Sequence, residues 1–217
     1  LQAGKLPATL WLLIGLGAII AAIDSAIAIR HGATRRLPRI IGANVAMPLA
    51  TWGGLSVLDL PGLPLVAQVV LALMLVVPLG PMIYRLAYQP IAEASVLILL
   101  IVSVAVHVVL IGLGLLFFGA EGTRTPAFTE GMVEFADIAI QYQTLWILAA
   151  SAVLIIGLYA FSGRTIYGKA LRATALNRTG ARLMGISTVM AGKLSFTLAA
   201  LIGAFSGVLI SPITTVY

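Results

Sequence analysis

The chain has no cysteine. Disulfides, thiolate metal sites and cysteine nucleophiles are excluded together. Charge is almost as scarce: Asp, Glu, Lys and Arg are 9% of the 217 residues, where a soluble domain carries about 25%. Catalytic signatures are missing as well. Two histidines occur, His31 and His107, without an HExxH pair, and there is no GxSxG nucleophile elbow and no Walker A phosphate loop. The chain is therefore not expected to be an enzyme, to hydrolyse ATP alone, or to hold a cofactor or metal of its own. Its apolar segments carry few ionisable groups, unlike a proton pump with a carboxylate relay.

Apolar residues fill the space that charge leaves. They are 61% of the chain, and the mean hydropathy is +1.11. This composition identifies an integral membrane protein. In a soluble protein the net charge of +6 would suggest nucleic acid. Here the basic residues read as cytoplasmic anchors of membrane spans, and no nucleic-acid partner is expected. No basic region precedes the first apolar run, so no cleavable signal peptide is evident. Leu1 is not a start methionine and the last apolar segment runs almost to Tyr217, so a piece cut at both ends is expected.

A helix needs about 20 apolar residues to cross a hydrocarbon core of about 30 Å. Six stretches qualify: 8–29, 40–58, 63–84, 94–119, 143–162 and 194–215. The expected fold class is all-α, a polytopic transmembrane helical protein of about six spans. The second stretch is the weakest, because Asn44, Pro48, Thr51 and the Gly53-Gly54 pair interrupt it. Pro78 and Pro81 should kink the third near its end.

The loops give an orientation. Arg30, Arg35, Arg36 and Arg39 fall in loop 30–39, Arg85 in loop 85–93, and Arg164, Lys169, Arg172, Arg178, Arg182 and Lys193 in loop 163–193. These alternate loops hold all but two of the 13 basic residues; Lys5 and Arg124 lie on the other side with Asp59, Glu121, Glu130, Glu134 and Asp137. The positive-inside rule then places the N-terminus outside and the three basic loops in the cytoplasm. In the outer loop 120–142, Met132, Phe135, Ala136, Ile138 and Ala139 recur at roughly helical spacing. A short amphipathic helix on the outer interface and an ordinary connecting loop are equal readings.

Two ionisable groups fall inside the apolar stretches. Asp24 precedes Arg30 by about one and a half turns. It reads either as part of a pathway or, preferably, as a carboxylate that snorkels to water or to the nearby arginines. His107 lies mid-span with Ser103 one turn earlier. The two are candidate pathway-lining residues, or members of a helix–helix hydrogen bond. Gly203 and Gly207 form a GxxxG that would suit close helix packing.

The loop 163–193, GRTIYGKALRATALNRTGARLMGISTVMAGK, has six basic residues and no acidic one. Gly163 would end the fifth span, and Gly168–Met184 favours helix. On that helix Ala170, Ala173, Leu176 and Asn177 share one face, with Lys169, Arg172 and Arg178 nearer another. Gly180 interrupts, and Gly185-Ile186 ends the run before Ser187, a plausible cap. A helix docked in a groove of a protein partner and a basic helix on anionic lipid both fit this composition.

The segment YGKALRATALNRTGARLMGI closely resembles the cytoplasmic loop of permease subunits in the branched-chain amino-acid class of ABC importers. The matching positions are Gly168, Lys169, Ala170, Arg172, Ala173, Ala175, Asn177, Ala181, Leu183, Gly185 and Ile186. YRLAYQPIAEASVLILLI resembles the family's tyrosine–arginine–proline segment through Tyr88 and Pro90, with Gln89 in place of the usual arginine. FFGAEGTRTP, with Phe118, Gly119 and Pro126, is similar to the outer loop that follows. The resemblance covers residues 63–217. Residues 1–62 diverge: only Ile29-Arg30-His31-Gly32 stands where the family has an Asn-Phe-Ala-His-Gly motif. The family's last spans would lie beyond Tyr217.

The resemblance implies one transmembrane permease domain over 1–217, in a bacterial or archaeal cell membrane. It implies a second homologous permease, cytoplasmic ABC ATPase subunits that bind the ATP, a periplasmic or extracellular solute-binding protein, and membrane lipid around the spans. The helix 168–184 would be the coupling helix seated on the ATPase. The implied function is ATP-driven import of branched-chain amino acids or a related small polar solute, such as another amino acid, urea or an amide. A secondary transporter or channel working without an ATPase is the alternative, and a membrane-embedded enzyme ranks below both.

Overall fold

Inside a bilayer no water satisfies backbone N–H and C=O groups, so long apolar runs fold as helices that pair those groups internally. The computed structural model describes residues 8–30, 63–119, 127–129, 131–135 and 138–214, with isolated positions 42, 50, 53 and 125. The chain divides into two units, Leu1–Gly119 and Ala120–Tyr217. Apart from those isolated positions, the expected span 40–58 lies outside the described residues. So do His31, Arg35, Arg36, Arg39, Lys5, Asp59, Glu121, Arg124, Pro126, Glu130 and Asp137.

The first unit contains α1 (Ala8–Arg30), α2 (Leu65–Val76), α3 (Leu79–Ile83), a π-helical turn (Tyr84–Tyr88) and α4 (Val96–Phe118). The third apolar stretch changes its winding where the prolines sit. Pro78 and Pro81 have no N–H to give to the turn before them. The Val77 carbonyl accepts instead from Gly80 N–H at 3.1 Å, a tighter winding that separates α2 from α3. Ser95 caps α4, accepting from Ile98 N–H at 3.5 Å. The core of this unit is small: Leu10 and Leu13 of α1 meet Leu75 of α2, with Ile14, Leu71, Leu79 and Met82 packed around them.

The second unit contains a hairpin of β1 (Met132–Phe135) and β2 (Ile138–Gln141), then α5 (Tyr142–Arg164), α6 (Ile166–Leu176), α7 (Arg178–Leu183) and α8 (Thr188–Ile210). The strands pair antiparallel, with Met132 opposite Gln141 and Phe135 opposite Ile138. Neither of the two equal readings of this loop, amphipathic helix or plain connection, included a hairpin. The runs Met-Val-Glu-Phe and Ile-Ala-Ile-Gln are rich in β-branched and aromatic residues that fit a pleated surface. Gly131, at φ +123°, turns the chain into β1 in a conformation that L side chains rarely adopt.

Four helical segments among the described residues are long and apolar enough to cross a membrane: Leu65–Tyr88, Val96–Phe117, Tyr142–Arg164 and Thr188–Ile210. α1 adds a shorter apolar stretch, Leu10–Ala26. Many large apolar side chains on these helices, including Val96, Leu116, Ile155 and Ile156, point outward. That is the arrangement lipid requires and water penalises. Gly203 and Gly207 are exposed too, and a Cβ at either would touch nothing within 4 Å. The close packing expected of that GxxxG is therefore absent among the described residues.

At the C-terminal end of α8 the last carbonyls lack intrahelical donors. Gln143, buried at the start of α5, donates to the Leu209 carbonyl at 2.9 Å and accepts from Phe128 N–H at 3.2 Å. Its amide thus ties the α5 start, the loop before the hairpin and the end of α8. We expect Gln143→Leu to lower stability by about 1–3 kcal/mol, since it strands a buried carbonyl and a backbone N–H. Thermal unfolding of the purified protein in detergent reads this directly; an unchanged midpoint would show that the amide contributes nothing.

Candidate functional site

The basic segment 163–193 is a run of short helices, each closed by its own residues. α5 continues through Gly163 to Arg164, one residue past the expected end. Thr165 then leaves the helix. Its hydroxyl donates to the Phe161 carbonyl at 2.6 Å and accepts from Gly168 N–H at 3.0 Å. One side chain therefore ends α5 and begins α6. The corner is tight enough to exclude a side chain at Gly168: a Cβ there would lie 2.6 Å from Ser162 Cα and against the Phe161 carbonyl.

The single helix expected over 168–184 is two helices. α6 stops at Leu176, and Asn177 takes an extended conformation (φ −147°, ψ 98°). The Asn177 side chain accepts from Gly180 N–H at 2.8 Å and so caps α7. Asparagine does this readily, because its short amide competes with the helical ladder for nearby N–H groups. α7 ends in a Schellman motif. Gly185 sits at φ +80°, its N–H donates to the Arg182 carbonyl at 3.0 Å, and Ile186 N–H donates to the Ala181 carbonyl at 2.9 Å. Ser187 caps α8 as expected, accepting from Met190 N–H at 3.3 Å. Arg182 Nε also reaches Thr188 Oγ1, at 3.2 Å, across the α7–α8 corner.

Burial divides the matched residues. Gly168 and Ala181 are buried, and Ala170, Ala173 and Ile186 are half-buried. Lys169, Arg172, Ala175, Asn177, Leu183 and Gly185 are exposed. Four large apolar side chains stand out among these cations: Ile166 at 82% exposure, Leu176 at 89%, Leu183 at 84% and Met184 at 82%. No acidic residue in the segment offsets the charge. Exposed apolar groups rimmed by charge make this segment a candidate interaction surface.

The first unit holds the other candidates. Tyr88 donates its hydroxyl to Ser103 Oγ at 3.0 Å, and Ser103 donates onward to the Leu99 carbonyl at 2.8 Å. His107, one turn along α4, is exposed. Asp24 pairs with Arg85 of the π turn. Sequence reasoning looked to the arginines just after Asp24 and missed this partner, which lies on another helix. The breaking Asn177 was visible in principle, as an N-cap residue three positions before a glycine.

Comparison with known proteins agrees with these features. The family described as branched-chain amino acid transport system, permease component, matches residues 8–217. The chain belongs to this permease family. A curated relative, the high-affinity branched-chain amino acid transport system permease protein BraD of Pseudomonas aeruginosa, is 25% identical over 176 residues. That alignment takes in 79% of this chain and 57% of the relative, so the permease chain here spans little more than half of that relative's length. No solved structure matches. The family match also runs through residues 8–62, where the quoted motifs are thin.

The corner at Gly168 and the turn at Gly185 make distinct demands on the permease. Gly168→Ala should cost about 1–3 kcal/mol by overpacking against backbone that has no rotamer to move. Gly185→Ala has open space around its Cβ and should cost about 1–2 kcal/mol for the left-handed conformation alone. Gly185→Asn should recover most of that. Melting curves of the three variants in detergent check the order; equal midpoints for Gly185→Ala and Gly185→Asn would exclude the conformational account.

Proposed function

We propose that the chain forms a single permease domain, part of the membrane-spanning subunit of an ATP-driven importer for branched-chain amino acids or a related small polar solute. The family match over residues 8–217 carries this reading. In it the N-terminus lies outside a bacterial or archaeal cell membrane, and the basic loops, including 163–193, face the cytoplasm. ATP is bound by cytoplasmic ATPase subunits and not by this chain, which needs no cofactor of its own. A second homologous permease completes the pathway, and a solute-binding protein delivers solute from outside.

The geometry of α6 and α7 supports the coupling role. Backbone contact at Gly168 and the caps at Thr165, Asn177 and Ser187 join both helices to the spans α5 and α8 without a slack linker. A helix pair held in this way carries a push from a bound ATPase into the spans as a rigid-body shift. Lys169, Arg172, Leu176, Leu183 and Met184 would meet the ATPase groove, the cations setting register and the apolar side chains contributing burial. Ser103 and His107, on the same apolar helix, are the candidate polar lining of the pathway.

Two substitutions on the exposed face test this. Leu176→Asp and Arg172→Glu should leave the amount of protein in the membrane unchanged, remove most of the co-purifying ATPase, and lower ATP-dependent uptake about tenfold or more, the loss expected when a central contact of an interface is removed. Full ATPase association in both variants would overturn the coupling surface. Solute flux by the purified protein without any ATPase would instead favour a secondary transporter or channel.

A further inference from the structure

Residues Tyr84–Tyr88 are wound as a π turn, closed by Gln89 N–H donating to the Tyr84 carbonyl at 2.8 Å. A π turn carries one residue more than the α-helix would place there, and such turns cluster at functional sites. Both neighbouring helices hold this one by side chains. Arg85 pairs with Asp24 of α1, and Tyr88 donates to Ser103 of α4. Asp24 is 17% exposed and Arg85 34%, so the pair is partly withdrawn from solvent. Just past the turn, Gln89 Oε1 is buried with no hydrogen-bond partner. Buried polar atoms in native structures are nearly always paired, and an exception calls for a reason.

The surroundings leave room for a second arrangement. Pro78 and Pro81 have already loosened the ladder upstream. Against the turn lies a half-open apolar groove of about 180 Å³, lined by Leu16 of α1, by Ile83, Leu86 and Ala87, and by Val106 and Leu113 of α4. That space is large enough to take up shifted side chains.

We propose that Asp24 and Arg85 are positioning residues that hold Tyr84–Gln89 in the π register, and that their release lets the segment relax to the α register. Removing the extra residue rotates the chain downstream by about 100°. The rotation carries Tyr88 away from Ser103 and turns Gln89 out of its unpartnered site. The ion pair opposes this, because separation would leave a charge unpaired in apolar surroundings. The segment is then a two-state element whose register depends on how α1 and α4 stand relative to it. Only the functional part of the test below rests on the transport reading.

The lack of cysteine in this chain makes the register measurable. Gln89→Cys in the full-length protein, within its assembled complex in nanodiscs, reports exposure of position 89 through the rate of maleimide labelling, read by mass spectrometry at that residue. We expect slow labelling with the ion pair intact, and about tenfold or faster labelling with Asp24→Asn or Arg85→Gln, as a local opening equilibrium shifts. The exchanged pair, Asp24→Arg with Arg85→Asp, should reverse most of the acceleration. Unchanged labelling in both single variants, or an exchanged pair as fast as either, overturns the proposal. Should the charge variants fail to assemble, Tyr88→Phe with Ser103→Ala releases the α4 side without touching a charge. It should speed labelling about threefold, and no change there overturns the proposal equally. In reconstituted transport, Asp24→Asn should lower uptake per ATP hydrolysed, and the exchanged pair should restore it. A tie that served stability alone would lower uptake and hydrolysis in proportion, and that outcome also counts against the proposal. The labelling needs no transport, so its failure is distinct from failure of the transport reading.

Discussion

The second unit depends on one missing side chain. At Gly168 the start of α6 lies directly against the carbonyl end of α5, with space for hydrogen and nothing larger. Thr165 closes the same corner from both sides with one hydroxyl. The remaining helix ends in this region are closed locally as well, by Asn177, by Gly185 in its left-handed turn and by Ser187. A polar segment with little apolar surface to bury usually has little to hold it in one shape. Here backbone contact and caps supply that order, leaving the large side chains free for other contacts.

The same economy governs polar groups near the apolar spans. Several polar side chains in each unit pair within that unit: Gln143 with the end of α8, Asp24 with Arg85, Tyr88 with Ser103. In surroundings with few water molecules, an unpaired group costs more than a paired one contributes. Polar residues in these helices therefore act first as fasteners between elements. His107, exposed and outside these pairings, differs in kind from Ser103, although the two sit a turn apart.

Much of this was legible in the sequence, and the rest failed for identifiable reasons. Apolar runs located the described spans, but the helix ends do not follow the runs. α8 begins at Thr188, six residues before the apolar count starts, because Ser187 caps it and Lys193 is no obstacle to a helix. The change of winding at Pro78 and Pro81 was legible because proline acts through its own missing N–H. The break at Asn177 was legible only as a possibility, since Leu, Arg and Thr around it serve either state and one side-chain bond, to Gly180 N–H, decides. In the hairpin the residues meet two periods at once: Met132, Phe135 and Ile138 suit a helix, while Val133, Phe135, Ile138 and Ile140 suit strands that pair across a turn. Asp24 was read against the arginines next to it in the chain, and its partner comes from a different helix. Pairings at long sequence separation leave no local pattern.

The distribution of small and large residues in the matched loop then acquires a physical division. Gly168 and Ala181 are buried, Ala170 and Ala173 are half-buried, and Gly185 is required by its backbone angle. These positions are small because the corners between α5, α6, α7 and α8 leave no room, whether or not any partner is present. Lys169, Arg172, Leu176, Leu183 and Met184 have no such internal duty. Their exposure carries a solvation cost for the apolar members that nothing in the unit offsets. The surface keeps its small residues for its own corners and presents long apolar and cationic side chains outward. In the coupling role proposed above, a protein groove would take both kinds of side chain at one surface.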